Sequence, residues 1–245
     1  MIPADLPEAN YLILSSRLIP GLDGGYTVAT LARARLLAAA GAAVDLLTVD
    51  PGTPRDHAAH RAEFAARGLA DPTRMRNLFD EALADPSWLF AASVPGAAAD
   101  DVEYREFRSD AGELLLSLPV IVGDPDWHLS TAPVLVHAPN GMRVLPGFGG
   151  LYRAWLDHVV AGLEGPAVLI CESRQLGELL VPWDAAVPIV HTIHTAHLEP
   201  PRTPDAPVNA LWARWFAVAS RFDAVLWPTA AQRDDVVARF GEHPG

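Results

Sequence analysis

Between Tyr11 and Asp50 the chain admits one strand, one loop, one helix and a second strand, in that order. Tyr11 to Ser15 is a compact apolar run bounded by polar and turn residues, which predicts a buried strand. Arg17 to Gly25 is a loop, punctuated by Pro20-Gly21 and Asp23-Gly24-Gly25. From Thr27 to Ala40 the recurrence of Val28, Leu31, Ala32, Leu36 and Ala39 predicts a helix, which Gly41 stops. Val44 to Val49 is a second buried strand, ending at Asp50-Pro51-Gly52. Such a unit belongs to a parallel sheet, with glycines where the first strand meets its helix.

The 245 residues suffice for one large domain or two small ones with a sizeable core. No apolar stretch is long enough to span a bilayer, and no basic-then-apolar leader opens the chain, so a cytoplasmic protein is expected. Cys171 is the only cysteine; it allows no internal disulfide and reads as a small buried hydrophobe within Ala167 to Cys171. A formal charge of -12 argues against binding a nucleic-acid backbone. All 18 basic residues are arginine. Without lysine there is no Schiff-base chemistry on lysine and no P-loop, although arginine still serves for phosphate.

Residues 51 to 100 read as helices with breaks, one of them opening at Asp71-Pro72 and running through Met75, Leu78, Phe79 and Leu83. The character then changes. Glu103 to Phe107, Glu113 to Leu118, Val120 to Val122 and Val134 to His137 predict short strands. Turn signals at 110 to 112, 123 to 125 and 139 to 141 separate them, and Asn140-Gly141 predicts a hairpin between Leu135 and Val144. Trp127 either lines a binding face there or packs. From Leu151 the α/β rhythm returns, with strands at Val168 to Cys171, Val187 to Ile193 and Ala224 to Trp227. Helices are expected at 151 to 163, 175 to 180, 210 to 219 and 230 to 240.

Three groups are placed for chemistry. Gly24 and Gly25 allow close backbone approach at a helix start, where free N–H groups favour anions; a plain tight turn is the alternative. The dinucleotide pattern G-x-G-x-x-G is absent, which disfavours a nicotinamide enzyme. His191, His194 and His197 form the second group; strand alternation puts His191 on one face and Thr192 and His194 on the other. His194 is expected at the strand's carboxyl end, where open parallel sheets place ligands. No H-E-x-x-H helix supports zinc. Third, Glu172 and Arg174 end another core strand, as cleft residues or as a solvated ion pair. G-x-S-x-G is absent, so serine hydrolase chemistry has little support.

The run Ser15 to Gly41, with Leu46 to Asp50 after it, resembles the N-terminal half of retaining GT-B glycosyltransferases of family 4. Asn77-Leu78-Phe79, the meander from Val102 to Val144, His194-Thr195-Ala196-His197-Leu198, Pro228 to Asp234 and Arg239-Phe240 follow in the order expected of that group. It looks most like poly(glycerol-phosphate) α-glucosyltransferases and the glycosyltransferases of serine-rich adhesins. The resemblance implies an α/β, Rossmann-like parallel sheet with helices on both faces, carrying an antiparallel β-meander insertion at about 101 to 150. It implies that residues 1 to 240 are the acceptor-side domain, that 241 to 245 begin an interdomain linker, and that the donor domain is absent.

By the same resemblance, Gly24 and Gly25 would sit beside the donor diphosphate. His194 would be the catalytic cleft histidine, with His197 as its neighbour. Glu172 and Arg174 join them as cleft or acceptor candidates on position alone. No cofactor and no metal is implied. The partners would be a UDP-type nucleotide-sugar and a polyol-phosphate or protein Ser/Thr acceptor, with no nucleic acid and with homo- or hetero-oligomers open. Two rivals stand beside this: a non-catalytic GT-B-like partner subunit that binds an acceptor protein, and a metal-dependent hydrolase using the histidines.

Overall fold

The computed structural model describes residues 6 to 241 except 23, 70, 110, 125 and 204. Six strands form one parallel sheet: β1 (Asn10–Ser15), β2 (Ala43–Thr48), β3 (Met75–Asn77), β9 (Ala167–Cys171), β10 (Ile189–Thr192) and β11 (Ala224–Leu226). Their spatial order is β11-β10-β9-β1-β2-β3. The chain starts in the middle, steps outward to one edge, returns to the middle and steps to the other, as in a doubly wound sheet. The order reverses between β1 and β9. Ser15 lies opposite Thr48, Leu14 opposite Cys171 and Cys171 opposite His191, so the carboxyl ends of the central strands form one row.

Alternation along the strands builds a core on each face. Tyr11, Ile13, Val44, Leu46 and Ile170 pack with Leu31 and Ala34 of α1 (Gly25–Ala39) and Phe64 of α2 (Pro54–Ala66). Leu12, Leu14, Leu47, Leu169 and Cys171 face the larger core. That side is covered by α3 (Leu78–Ala84), α4 (Ser87–Ala92), α5 (Gly147–Ala161), α6 (Arg174–Leu180) and α7 (Ala210–Phe216), with α8 (Ala230–Phe240) adding Val236. Because buried residues fill both faces, the central strands β1 and β9 read as nearly unbroken apolar runs. No helix among the described residues is long and apolar enough to cross a membrane.

The antiparallel sheet has the order β4-β8-β7-β6-β5, from β4 (Val94–Pro95), β5 (Tyr104–Arg108), β6 (Leu114–Pro119), β7 (Val134–Ala138) and β8 (Gly141–Leu145). The expected hairpin forms, with Leu135 opposite Val144, but its turn is Pro139-Asn140; Gly141 opens β8 opposite Ala138 with a positive φ of 121°. Leu116, Val134 and Val136 belong to the same core as Leu12 and Leu47, so the insertion is cemented to the parallel sheet.

Four expectations are corrected. Residues 71 to 84 are not one helix: a short turn at Pro72–Arg74 leads into edge strand β3, and Asn77 then caps α3 by accepting from the Phe79 N–H at 2.8 Å. Three residues are too few to show a period of two. Val120 to Val122 is loop, while the meander gains β4 from upstream of its expected start; β8 is the strand expected around Val144. The buried stripe of α1 is Thr27, Thr30, Leu31 and Ala34, which leaves Val28 and Leu36 exposed. A helix this rich in alanine and leucine offers apolar residues on every side, so spacing could not choose the face. Asp110 and Pro125, within two of the expected turns, lie outside the described residues.

Candidate functional site

The reversal between β1 and β9 opens a crevice at the carboxyl ends of the strands, as the topology dictates. A cavity of about 780 Å³ occupies it. Its walls come from the loop after β1 (Ser16, Arg17, Ile19), from Tyr26 on α1, from Asp50 after β2 and from Trp127 and His128. Glu172, Ser173 and Arg174 after β9, His194 after β10, Thr195, Leu198, Pro200 and Arg202 on the strap that follows, and Trp212 of α7 also line it.

Glu172 is the hub. It is 2 % exposed, and its backbone N–H extends the β1–β9 ladder by donating to the Leu14 carbonyl. Its Oε1 accepts from Arg33 Nε at 2.7 Å, and its Oε2 meets His194 Nε2 at 2.6 Å. Burial pushes the carboxyl up, but the bond from His194 and the Arg33 charge outweigh it and hold Glu172 below the usual glutamate value. A carboxylate has no proton to give, so His194 Nε2 is the donor and its Nδ1 is left for a ligand. The Tyr26 ring meets the His194 ring edge-on at 4.9 Å, and the Tyr26 hydroxyl bonds Ser15 Oγ at 2.8 Å. Burial raises the Tyr26 pKa, so the phenol stays neutral.

His191 points the other way. It is fully buried against Trp215 and Phe222, with Nε2 3.2 Å from the Ser173 carbonyl oxygen. Burial pushes it down to about 3, so it is a neutral donor that braces the turn carrying Glu172. Gly177 makes room for it: a Cβ there would come within 2.6 Å of the His191 ring and 3.1 Å of Trp215 Nε1. Gly177→Ala should therefore cost about 1–3 kcal/mol, read as a fall in melting temperature.

Arg174 lines the cavity but its charge is spent. It donates to Asp126 Oδ1 at 2.5 Å and to Glu178 Oε1 at 2.6 Å. Arg214 bonds the remaining oxygens of both acids, at 2.9 and 2.5 Å, and Gln175 adds a bond to Asp126 at 2.6 Å. Burial works against the Asp126 charge, yet the bonds from Gln175, Arg214 and Arg174 hold its carboxyl below the usual value. This ring of charges fixes the turn at Trp127–Leu129 to α6 and α7. Arg17 and Arg202, in contrast, line the cavity with no ion-pair partner among the described residues.

The expected site residues thus divide. Glu172, Arg174 and His194 meet in one cavity. Gly24 and Gly25 are exposed at the start of α1, one residue short of the wall at Tyr26; Gly24 is extended and caps the helix without a side-chain bond. His197 is buried with its Nε2 2.7 Å from Asp235 Oδ2, tying the strap to α8, and it is not part of the cavity wall. Arg33, Tyr26 and Asp50 were not singled out from the sequence. Asp50 carried a signal, its place at the end of β2; Arg33, in mid-helix, carried none. No group of three or more His, Cys, Asp or Glu suited to a metal ion exists among the described residues.

No protein-family model matches the chain, and no curated protein does. Solved structures do. A mutant of S. aureus TarM, in complex with fondaparinux, alpha-GlcNAc-glycerol and UDP, matches 96 % of this chain with a TM-score of 0.62 at 12 % identity. The GtfA/B complex matches 96 % with a TM-score of 0.62, also at 12 %. The pneumococcal O-GlcNAc transferase GtfA, in complex with UDP and GlcNAc, matches 98 % with a TM-score of 0.58 at 10 %. The chain covers 60 %, 59 % and 59 % of those chains. What is shared at such identities is the fold, and it is one found in GT-B glycosyltransferases.

Proposed function

We propose that this chain is the acceptor-side part of a retaining, family 4 GT-B glycosyltransferase. It would move a hexose from a nucleotide-sugar of the UDP type to a hydroxyl of a polyol-phosphate polymer or of protein Ser/Thr. The carrying observation is the Glu172–His194 pair in a substrate-sized crevice at the point where the strand order reverses. The remaining two fifths of the neighbours' length would supply the opposite wall, from the same polypeptide or from another.

Each residue then has a task. Glu172, held by Arg33, orients the His194 ring so that Nδ1 meets the transferred sugar: neutral, it accepts from a hydroxyl; protonated, it donates to a phosphate oxygen. Uncapped N–H groups at Gly25 and the first turn of α1 would face the leaving diphosphate, where helix start and developing charge match. Stabilising that charge is the largest service an electrostatic site gives.

The protein carrying both halves, offered UDP-hexoses with a polyol phosphate and a Ser/Thr peptide, should yield a product whose anomeric configuration by NMR is that of the donor. Residues 1 to 245 alone should show no turnover. Transfer by the isolated chain would contradict the half-site reading. The GtfA/B structure motivates one rival, a non-catalytic partner subunit. Co-purification with a second glycosyltransferase, without donor binding by this protein, would favour it.

A further inference from the structure

The crevice contains a second carboxylate that the transfer chemistry above leaves idle. Asp50, two residues past β2, is 9 % exposed and lines the cavity. Its Oδ2 accepts from the Leu18 N–H at 3.1 Å, and no side chain bonds or ion-pairs its carboxyl among the described residues. The backbone beneath it is pinned, since its carbonyl oxygen receives Asn77 Nδ2 at 3.0 Å and lies 3.2 Å from His57 Nε2. Burying a carboxylate that no side chain bonds is costly even with the Arg17 charge nearby, and in a ligand-sized cavity it marks a place where a ligand completes the hydrogen bonding.

Its neighbours define that ligand. His128 Nδ1 lies 2.7 Å from the Tyr152 hydroxyl, and burial, opposed by Asp126, pushes His128 down to about 4, so the ring is neutral. The Asp50 charge in turn raises the buried Tyr152 phenol beyond what burial does, which keeps it a donor. With Tyr152 donating to Nδ1, the His128 proton sits on Nε2. Beside them Trp127, stacked on His128 at 3.6 Å, is a flat apolar wall of the cavity. An acceptor oxygen, an imidazole N–H and an aromatic face are together complementary to a hydroxyl-bearing carbon chain. The Asp50 charge disfavours a phosphate at this point of the wall, although Arg17 and Arg202 line the same cavity.

We propose that Asp50, His128 and Trp127 form a subsite for neutral polyhydroxyl groups, with Asp50 accepting from the hydroxyls of the acceptor. The proposal deepens the glycosyltransferase reading and rests on it for the word acceptor; the binding itself does not. β2 and β9 flank β1 two strand spacings apart, so the backbones at Asp50 and Glu172 are separated by roughly 10 Å. That distance is the scale of one sugar or polyol unit.

Saturation-transfer NMR on the 245-residue chain, with no donor present, tests this using a linear pentitol and glycerol 3-phosphate as probes. The pentitol should receive saturation from the wild type, and Asp50→Asn should weaken its binding at least tenfold while the variant remains folded by its melting curve. Trp127→Ala provides a second, independent loss. Unchanged pentitol binding in Asp50→Asn, no pentitol binding by the wild type, or binding of glycerol 3-phosphate alone would each overturn the subsite. Because no sugar is transferred in this experiment, its outcome is separate from whether the protein is a transferase.

Discussion

Glu172→Ala is expected to cost about 3 kcal/mol of folding stability and to abolish sugar transfer. The carboxylate joins α1 to β9 through Arg33 and reaches His194 beyond β10, with its own side chain wholly out of solvent. Deleting it leaves two donors facing an empty site and frees the His194 ring to rotate. The cost sits at the low end for a broken buried pair because Arg33 keeps a quarter of its side chain in water and can be rehydrated. Glu172→Gln keeps the shape and one acceptor oxygen, so it should lose less stability while still losing most of the activity. The folded carboxyl is held below its ordinary value of 4.5, so its contribution is present above pH 4.5 and lost as the pH falls through the folded value. Denaturation at pH 7 and pH 3 should show the gap between wild type and Glu172→Gln closing on the acid side.

Asp50→Asn should do the opposite. Burial raises the Asp50 carboxyl from 3.8 to about 6, against partial relief from the Leu18 N–H, His57 and Arg17. The folded chain therefore holds that proton more tightly than the unfolded one. The favourable contribution is complete below pH 3.8 and is lost as pH rises through 6. At pH 7 the ionised group is a liability of up to about 3 kcal/mol, which a neutral asparagine removes. The variant should melt several degrees higher than wild type at pH 7.5, and the difference should vanish near pH 4. A substitution that stabilises the chain and weakens polyol binding is the behaviour expected where function, not stability, keeps a charge in place. Equal melting temperatures at both pH values would remove that interpretation.

The parts of this protein that could be read from its sequence are those whose signal is local. The strand-loop-helix-strand of residues 11 to 50, the Asn140-Gly141 hairpin and the division of His191 from His194 all follow from spacing over a few residues. Strand order does not: nothing near Val168 says that β9 returns to lie beside β1. The Glu172 hub has the same character, because Arg33 lies 139 residues away from it and His194 22 residues away. His197 illustrates the converse. It shares a motif with His194, yet the strap turns between them, and the ring packs under α8 against Asp235. Arg174 and Glu172, two residues apart, are neutralised by other partners and not by one another: Glu172 by Arg33, and Arg174 by Asp126 and by Glu178 one helical turn on.

We propose the crevice at the carboxyl ends of β1, β9 and β10 as one wall of a sugar-transfer site with His194 at its working face. The most direct test is the rate of transfer from a UDP-hexose by the protein carrying both halves, wild type against His194→Ala, with melting temperatures measured alongside. The expected result is a loss of at least a hundredfold, about 3 kcal/mol of transition-state stabilisation, with a melting temperature within a few degrees of wild type. Wild-type turnover in His194→Ala would contradict it.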